Sequence, residues 1–511
     1  MKAKAKEILT DAQIDEILKR FVQEDVRTDQ ADQDIDRLRR VKSRVTPRLL
    51  DVLTTGDDRA RTMAASLLGH LRDKRAIPPL QKILEDPRYN DDLKLSAFSV
   101  LRELGVDVDE EDLYTQLQDP EAAIRRSMSR MLSMFSQPAH LALFFESFKE
   151  QPAEVQVTFA RSVAALNDRR ALHLLVPLLY SDDEDVVLAA IETVAALKDP
   201  TPVPSLQEIA EFNASKLVRA EARKAVAHLT MRASVQGHPP PLEDSPSHLP
   251  VYSCLISTVD GDGGQVVFVA RKRSDGDLMI FDIMFNDHQG IKDAFGIESI
   301  TEEEFETNLV ETLSFEGIEL VDISLERVRE HIGRAHRLTL EVGRNLPSEY
   351  LIWRCLLDGE EDEEVEEHAL PILNPDEQKN LLSTCDQLLE LDEFESWFFN
   401  PDEIEEFADL ADVELEHKRR NWQTRLDQII TDAIHAIIVE ERRELIRKRL
   451  DHQAWIVAQL YASPEVSLWC LAAARALDDG STMPIEVPPL LRGMVMRSLE
   501  NALEQPIAHY L

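Results

Sequence analysis

From about residue 42 to about residue 230, apolar residues recur at helical spacing and the pattern repeats itself. The stretch "AASLLGHLRDKRAIPPLQKILEDP" is followed by "LSAFSVLRELGVDVDEEDLYTQLQDP", "FARSVAALNDRRALHLLVPLLYSDDEDV" and "AAIETVAALKDPTPVPSLQEIAEF". Each copy predicts an apolar helix ending near Gly69, Gly105, Asn167 or Lys198. A polar turn follows, such as Asp73 to Ala76 or Asp168 to Ala171. A second helix then carries paired leucines, Leu80 with Leu84 and Leu175 with Leu179, and stops at Asp86, Asp119 or Ser181. Two amphipathic helices cannot bury both apolar stripes alone, so each pair must stack on its neighbours. Alanines at 64, 65, 164, 165, 189 and 190 allow close helix approach.

These copies resemble HEAT repeats, specifically the short bacterial kind first noticed in phycobilin lyases. The likeness covers the N-terminal two-fifths of the chain and implies an α-solenoid over residues 42–232. Residues 1–41 are read as N-terminal helices, with Thr10 and Gln13 at capping-box spacing.

The helical pattern breaks at "MRASVQGHPPPLEDSPSHLP", where three consecutive prolines predict a linker over 233–249. Beyond it, "VYSCLIST", "QVVFVARKR" and "LMIFDIMF" are β-branched and aromatic runs between Gly/Asp turns, which predicts an antiparallel meander. Helices capped by Thr301 and Ser324 complete a small α+β domain over 250–357. The segments "DGDGG", "RKRSDGD" and "NDHQGIKDAFG" resemble an uncharacterised bacterial domain to which no activity attaches. An acidic linker is expected over 358–372, and helical periodicity then runs through 373–511 as an independent bundle. The fold class is therefore mainly α: solenoid, small α+β domain, C-terminal helical domain.

Composition narrows the partners. The 511 residues include 96 acidic and 57 basic side chains, a net charge of -39. Such a field repels nucleic-acid phosphates and anionic lipid, so neither is expected as a partner. The densest basic run, "EERRELIRKRLDHQ", interleaves Arg442, Arg443, Arg447, Lys448 and Arg449 with acids at helical spacing, which favours intrahelical pairing. The 4 cysteines are widely separated and signal neither zinc nor a disulfide framework. No apolar run is long enough for a membrane span, and a cytoplasmic location is expected.

Candidate chemistry is sparse. A calcium loop with Asp260 first would place Asp262 third, Gly264 fifth, Gln265 where glycine is needed and Arg271 where Glu should close the cage, so "VDGDGGQ" reads as a turn. Di-iron HEAT hydroxylases place His-Glu dipeptides on successive repeats, and this sequence has none. His331 and His336, five apart on a helix, do not share a face as a zinc pair would. Phosphate loops and nucleophile elbows are absent. No cofactor is expected.

The most site-like cluster is Asn286, Asp287, His288, Lys292 and Asp293, at the end of an apolar strand. A histidine flanked by acids suits a general base or ligand contact. The competing reading is a strand-to-helix turn in which Asn286 and Asp287 cap backbone groups and Lys292 pairs with an acid. In the solenoid, Lys74, Arg75, Arg169 and Arg170 would line one edge and favour an acidic peptide, or are solvated turn residues. The functional expectation is a non-catalytic protein-interaction scaffold with a protein partner. The alternative is an enzyme or small-ligand-binding protein with its site near Asn286 to Asp293.

Overall fold

The computed structural model describes residues 9–23, 34–35, 37–236, 246–315, 317–359, 369–417, 420–478 and 483–507. Most of the linker at 233–249 and of the acidic stretch at 358–372 lies outside them. The chain is mainly helical with one small antiparallel sheet. It forms two compact units, one of residues 1–136 with 158–171, the other of 137–157 with 172–511.

The first unit is helical throughout its described residues. Its helices begin where short polar side chains can take orphan backbone N–H groups: Asp57, Asn90 and Asp119 each accept from a residue three positions on. Thr10 and Gln13 form the anticipated capping box. The apolar stripes meet in a core that includes Leu49, Leu68, Leu80 and Leu101. An Asp-x-Arg device recurs at the turns. Asp73 caps the 3-10 turn Lys74–Ala76, accepts from Thr46 Oγ1 at 2.7 Å, and is held by Arg75 through Nη2 at 2.8 Å. Asp86 with Arg88 and Asp168 with Arg170 repeat the fork. Burial opposes ionisation of Asp73, but the Arg75 and Thr46 bonds outweigh it and hold the carboxyl down at about 2.

In the second unit the sheet runs in the order β4-β3-β2-β1-β5. The strands are β1 (Val251–Ser257), β2 (Gly264–Lys272), β3 (Leu278–Asn286), β4 (Gly290–Ile300) and β5 (Leu320–Asp322). All paired neighbours are antiparallel. Alternation splits each strand between two faces. Phe268, Ala270, Leu278 and Ile280 lie under Phe305, Leu309 and Leu313 of the helical run over residues 302–315. The opposite face meets the helices Leu325–Glu341 and Ser348–Trp353. Gly296 is indispensable there: a Cβ would come within 2.0 Å of the buried Trp353 ring.

The segment after residue 373 is not an independent bundle. Gln453, fully buried on the helix Glu440–Leu460, accepts from the Val259 N–H at 2.8 Å, and Trp397 donates to the Val259 carbonyl at 3.0 Å. The β1–β2 turn is thus hydrogen-bonded to the C-terminal segment through both the N–H and the carbonyl of Val259. The HEAT-like helices in this unit are joined to it as well. Glu208 receives the Tyr180 hydroxyl and lies 3.1 Å from His336, whose other ring nitrogen is 3.0 Å from the Tyr350 hydroxyl.

Candidate functional site

The predicted cluster sits on the tip of a β-hairpin. "GIKDAFGIESI" pairs with β3 as β4, so the expected strand-to-helix turn is incorrect. The physical reason is Gly290, whose φ of +77° turns the chain straight back, after which apolar residues alternate again. Asn286 does cap the turn, accepting from Gln289 N at 2.7 Å. Near the tip β4 carries an extra residue: Met284 pairs with Asp293 and Phe285 with Ile291, leaving Lys292 bulged between them.

Asp287 forms the strongest ion pair of the site. Arg449 Nε lies 2.7 Å from Asp287 Oδ2 and Nη2 lies 2.8 Å from Oδ1, a two-pronged contact. The same guanidinium donates to the carbonyls of Gly261 and Asp262. Gly263 makes room for the pair: at φ +81°, a Cβ would meet Asp287 Oδ1 at 2.3 Å and Arg449 Nε at 2.7 Å. Asp260 Oδ1 accepts from the N–H groups of Asp262 and Gly264. The "DGDGG" stretch therefore uses its carboxylate on its own backbone. It serves as a clamp between hairpin and helix.

The hairpin residues open onto three different cavities. Asn286 and Asp287 border the first, about 690 Å³, with the helices Leu325–Glu341 and Glu440–Leu460 on its walls. There the His331 and His452 rings lie 4.7 Å apart, His452 stacks on Trp455 at 5.8 Å, and the Arg327 guanidinium sits 4.7 Å from the Trp455 centroid. Burial, then Arg334 and Arg327, lower His331 to about 4; burial, then His331 and the same arginines, lower His452 to about 3. Both imidazoles are neutral at pH 7. Buried Asn286 Nδ2 and His452 Nε2 have no hydrogen-bond partner among the described residues. This cavity combines apolar side chains such as Phe285, Leu338 and Trp455 with charged ones and with unspent hydrogen-bonding atoms, a makeup that suits a polar small molecule.

His288 borders the second cavity, about 590 Å³, with Asp262, Glu403 and Arg442. Its Nδ1 is 3.4 Å from Asp287 Oδ1 and its Nε2 is 3.9 Å from Asp262 Oδ2. Arg442 is paired with Glu403. Lys292 borders the third cavity, about 630 Å³, with Asp282 on the sheet face beyond the 302–315 helical run. Asp293 faces no cavity of the three, but its charge reaches Asp282. Burial, reinforced by Asp293, raises Asp282 to about 6.

The four basic candidates of the repeats are put to different uses. Arg75 and Arg170 are tied into their turns by Asp73 and Asp168. Arg169 is half-buried and Lys74 is exposed.

The sequence reading placed Arg449 in a run of intrahelical pairs. Its neighbours do pair that way, Arg447 with Glu444 and Asp451, Arg443 with Glu440. Arg449 instead lies three residues from Ile446 and four from Gln453, on the buried stripe of the helix. That phase was the available signal. The His331–His452 contact joins elements far apart in sequence, and nothing local announces it.

Residues 141–227 match the HEAT repeats family. No curated protein matches the chain. Among the described residues, no helix is long and apolar enough to cross a membrane.

Proposed function

We propose that this chain is a non-catalytic protein-binding scaffold whose HEAT repeats carry the interaction surface. The supporting observation is the HEAT match at 141–227, repeats commonly used to hold protein partners. Within the matched residues, Leu143, Val155 and Leu217 remain 68%, 48% and 52% exposed. Large apolar side chains left in water on a repeat surface suit a protein contact. The test is affinity capture by the full chain, compared with Leu143→Asp and Leu217→Asp variants. A protein retained by the native chain and lost from both variants is expected. Equal retention by all three refutes the assignment to the repeats.

A second reading is small-ligand binding at the hairpin. It is favoured by the first cavity, where His452 Nε2 and the Asn286 amide supply unspent polar atoms beside Phe285, Leu338 and Trp455. A cofactor lyase or chaperone, the role of the phycobilin lyases that the repeats resemble, is one form of it. Native mass spectrometry of the purified chain checks it: a bound mass lost on His452→Phe is expected, and an unliganded mass argues for the scaffold alone.

A further inference from the structure

We propose that the third cavity binds a linear aliphatic di- or polyamine, its nitrogens held by carboxylates and its methylenes by the sheet face. This site is separate from the repeat surface and from the His331–His452 cavity, so it stands or falls independently of both readings above.

The charge balance is one-sided. Among the described residues, Asp260, Asp282, Asp392, Glu393 and Glu395 border the cavity against the single cation Lys292. Acidic residues alone would not define a site, because the whole chain is acidic. Glu393 supplies the second observation. It is only 9% exposed, and the Tyr461 hydroxyl donates to its Oε1 at 2.8 Å. Its Oε2 is buried with no hydrogen-bond partner among the described residues. A buried carboxylate oxygen left unpaired is costly, and an ammonium group entering the cavity would satisfy it. Asp282, half-buried across the cavity, has its anion disfavoured by desolvation and by the Asp293 charge, and an arriving cation would reverse that.

The shape of the demand selects an elongated cation over a point charge. The carboxylates come from the β1–β2 turn, from β3 and from the 392–395 segment. Among the described residues no three acids or other donors gather closely enough to hold a metal ion. The same cavity is lined by Val266, Phe268, Met284, Leu313, Ile318 and Phe398. Carboxylates and apolar surface in one cavity match an alkyl chain interrupted by ammonium groups. A cavity of about 630 Å³ falls in the usual range for small-molecule sites.

Isothermal titration calorimetry of the full chain with spermidine, putrescine and, as a point-charge control, Mg²⁺ tests this. Saturable one-site binding of spermidine is expected, with proton release at pH 6 as Asp282 ionises. Asp282→Asn and Glu393→Gln should each weaken it about tenfold. Lys292→Ala should tighten it several-fold, a gain that misfolding cannot produce. Glu405→Gln, on an exposed face elsewhere, should change nothing. The proposal is overturned by absence of saturable binding, by Mg²⁺ binding as well as spermidine, by indifference to Asp282→Asn and Glu393→Gln, or by Lys292→Ala failing to tighten.

Discussion

Replacing Arg449 by methionine removes the clamp between hairpin and helix. The substitution deletes hydrogen bonds to both Asp287 oxygens and to the carbonyls of Gly261 and Asp262. The Arg449 side chain is 8% exposed and that of Asp287 29%. Removing one member of a buried pair costs about 3–5 kcal/mol. Asp287 keeps water on its open side, so Arg449→Met belongs at the lower end, about 3 kcal/mol. Asp287→Ala strands the more deeply buried charge and should cost more, about 4 kcal/mol. The double variant should cost less than the sum, with a coupling of about 2 kcal/mol. Urea unfolding followed by tryptophan fluorescence reads this cleanly, because Trp353, Trp397, Trp422, Trp455 and Trp469 all belong to the second unit. The midpoint should fall with the slope unchanged. A loss below about 1 kcal/mol for Arg449→Met, or a coupling below about 0.5 kcal/mol, would refute the clamp.

Gly296→Ala should destabilise the second unit by about 2–3 kcal/mol, since the new methyl overlaps the immobile Trp353 ring; near-native urea midpoints would contradict it. In the first unit, Asp73 titrates below its unfolded value. Its contribution is therefore present above about pH 4 and lost as pH falls toward about 2, and Asp73→Asn should flatten that part of the acid transition in far-UV circular dichroism. In the second unit two groups act in opposite directions. His331 and His452 are lowered, so stability is lost as pH falls from about 6.5 toward about 4, and His452→Phe should remove much of that loss. Asp282 is raised, so its unfavourable ionisation grows as pH rises from about 4 to about 6. Asp282→Asn should stabilise the chain above that window by about 1–2 kcal/mol, after allowance for its partial exposure.

What could be read from sequence was whatever periodicity and local chemistry encode. Leucine spacing and the Asp-bounded helix ends showed the solenoid-like helices, and the β-branched runs showed the sheet. Thr301 and Ser324 capped the helices they were expected to cap. The error at "NDHQGIKD" came from reading the turn after the apolar strand as leading into a helix, when Gly290 reverses the chain into a second strand. Even a correct hairpin would not have located the cavities. Which wall each tip residue meets depends on the Lys292 bulge and on Arg449, more than 150 residues away. Likewise Glu393 carried no signal in "LDEFESW", where it is one acid among several. Its buried Oε2 is left unpaired by the fold, in which Tyr461, distant in sequence, takes only Oε1.

The division of the chain has a consequence for synthesis. Residues 137–157 belong to the second unit, while the next stretch, 158–171, returns to the first. The helix Pro138–Phe148 packs on β4 and on the helix Ser348–Trp353, burying Leu141, Phe145 and Phe148. At ribosomal rates of about 5–20 residues per second, those partners emerge roughly 10–40 s later. The first unit is complete by Ala171, but one apolar helix held within its span must wait for docking sites not yet translated. A nascent chain of this protein thus exposes Leu141, Phe145 and Phe148 for that interval, and a hold by cellular chaperones is expected to concentrate there.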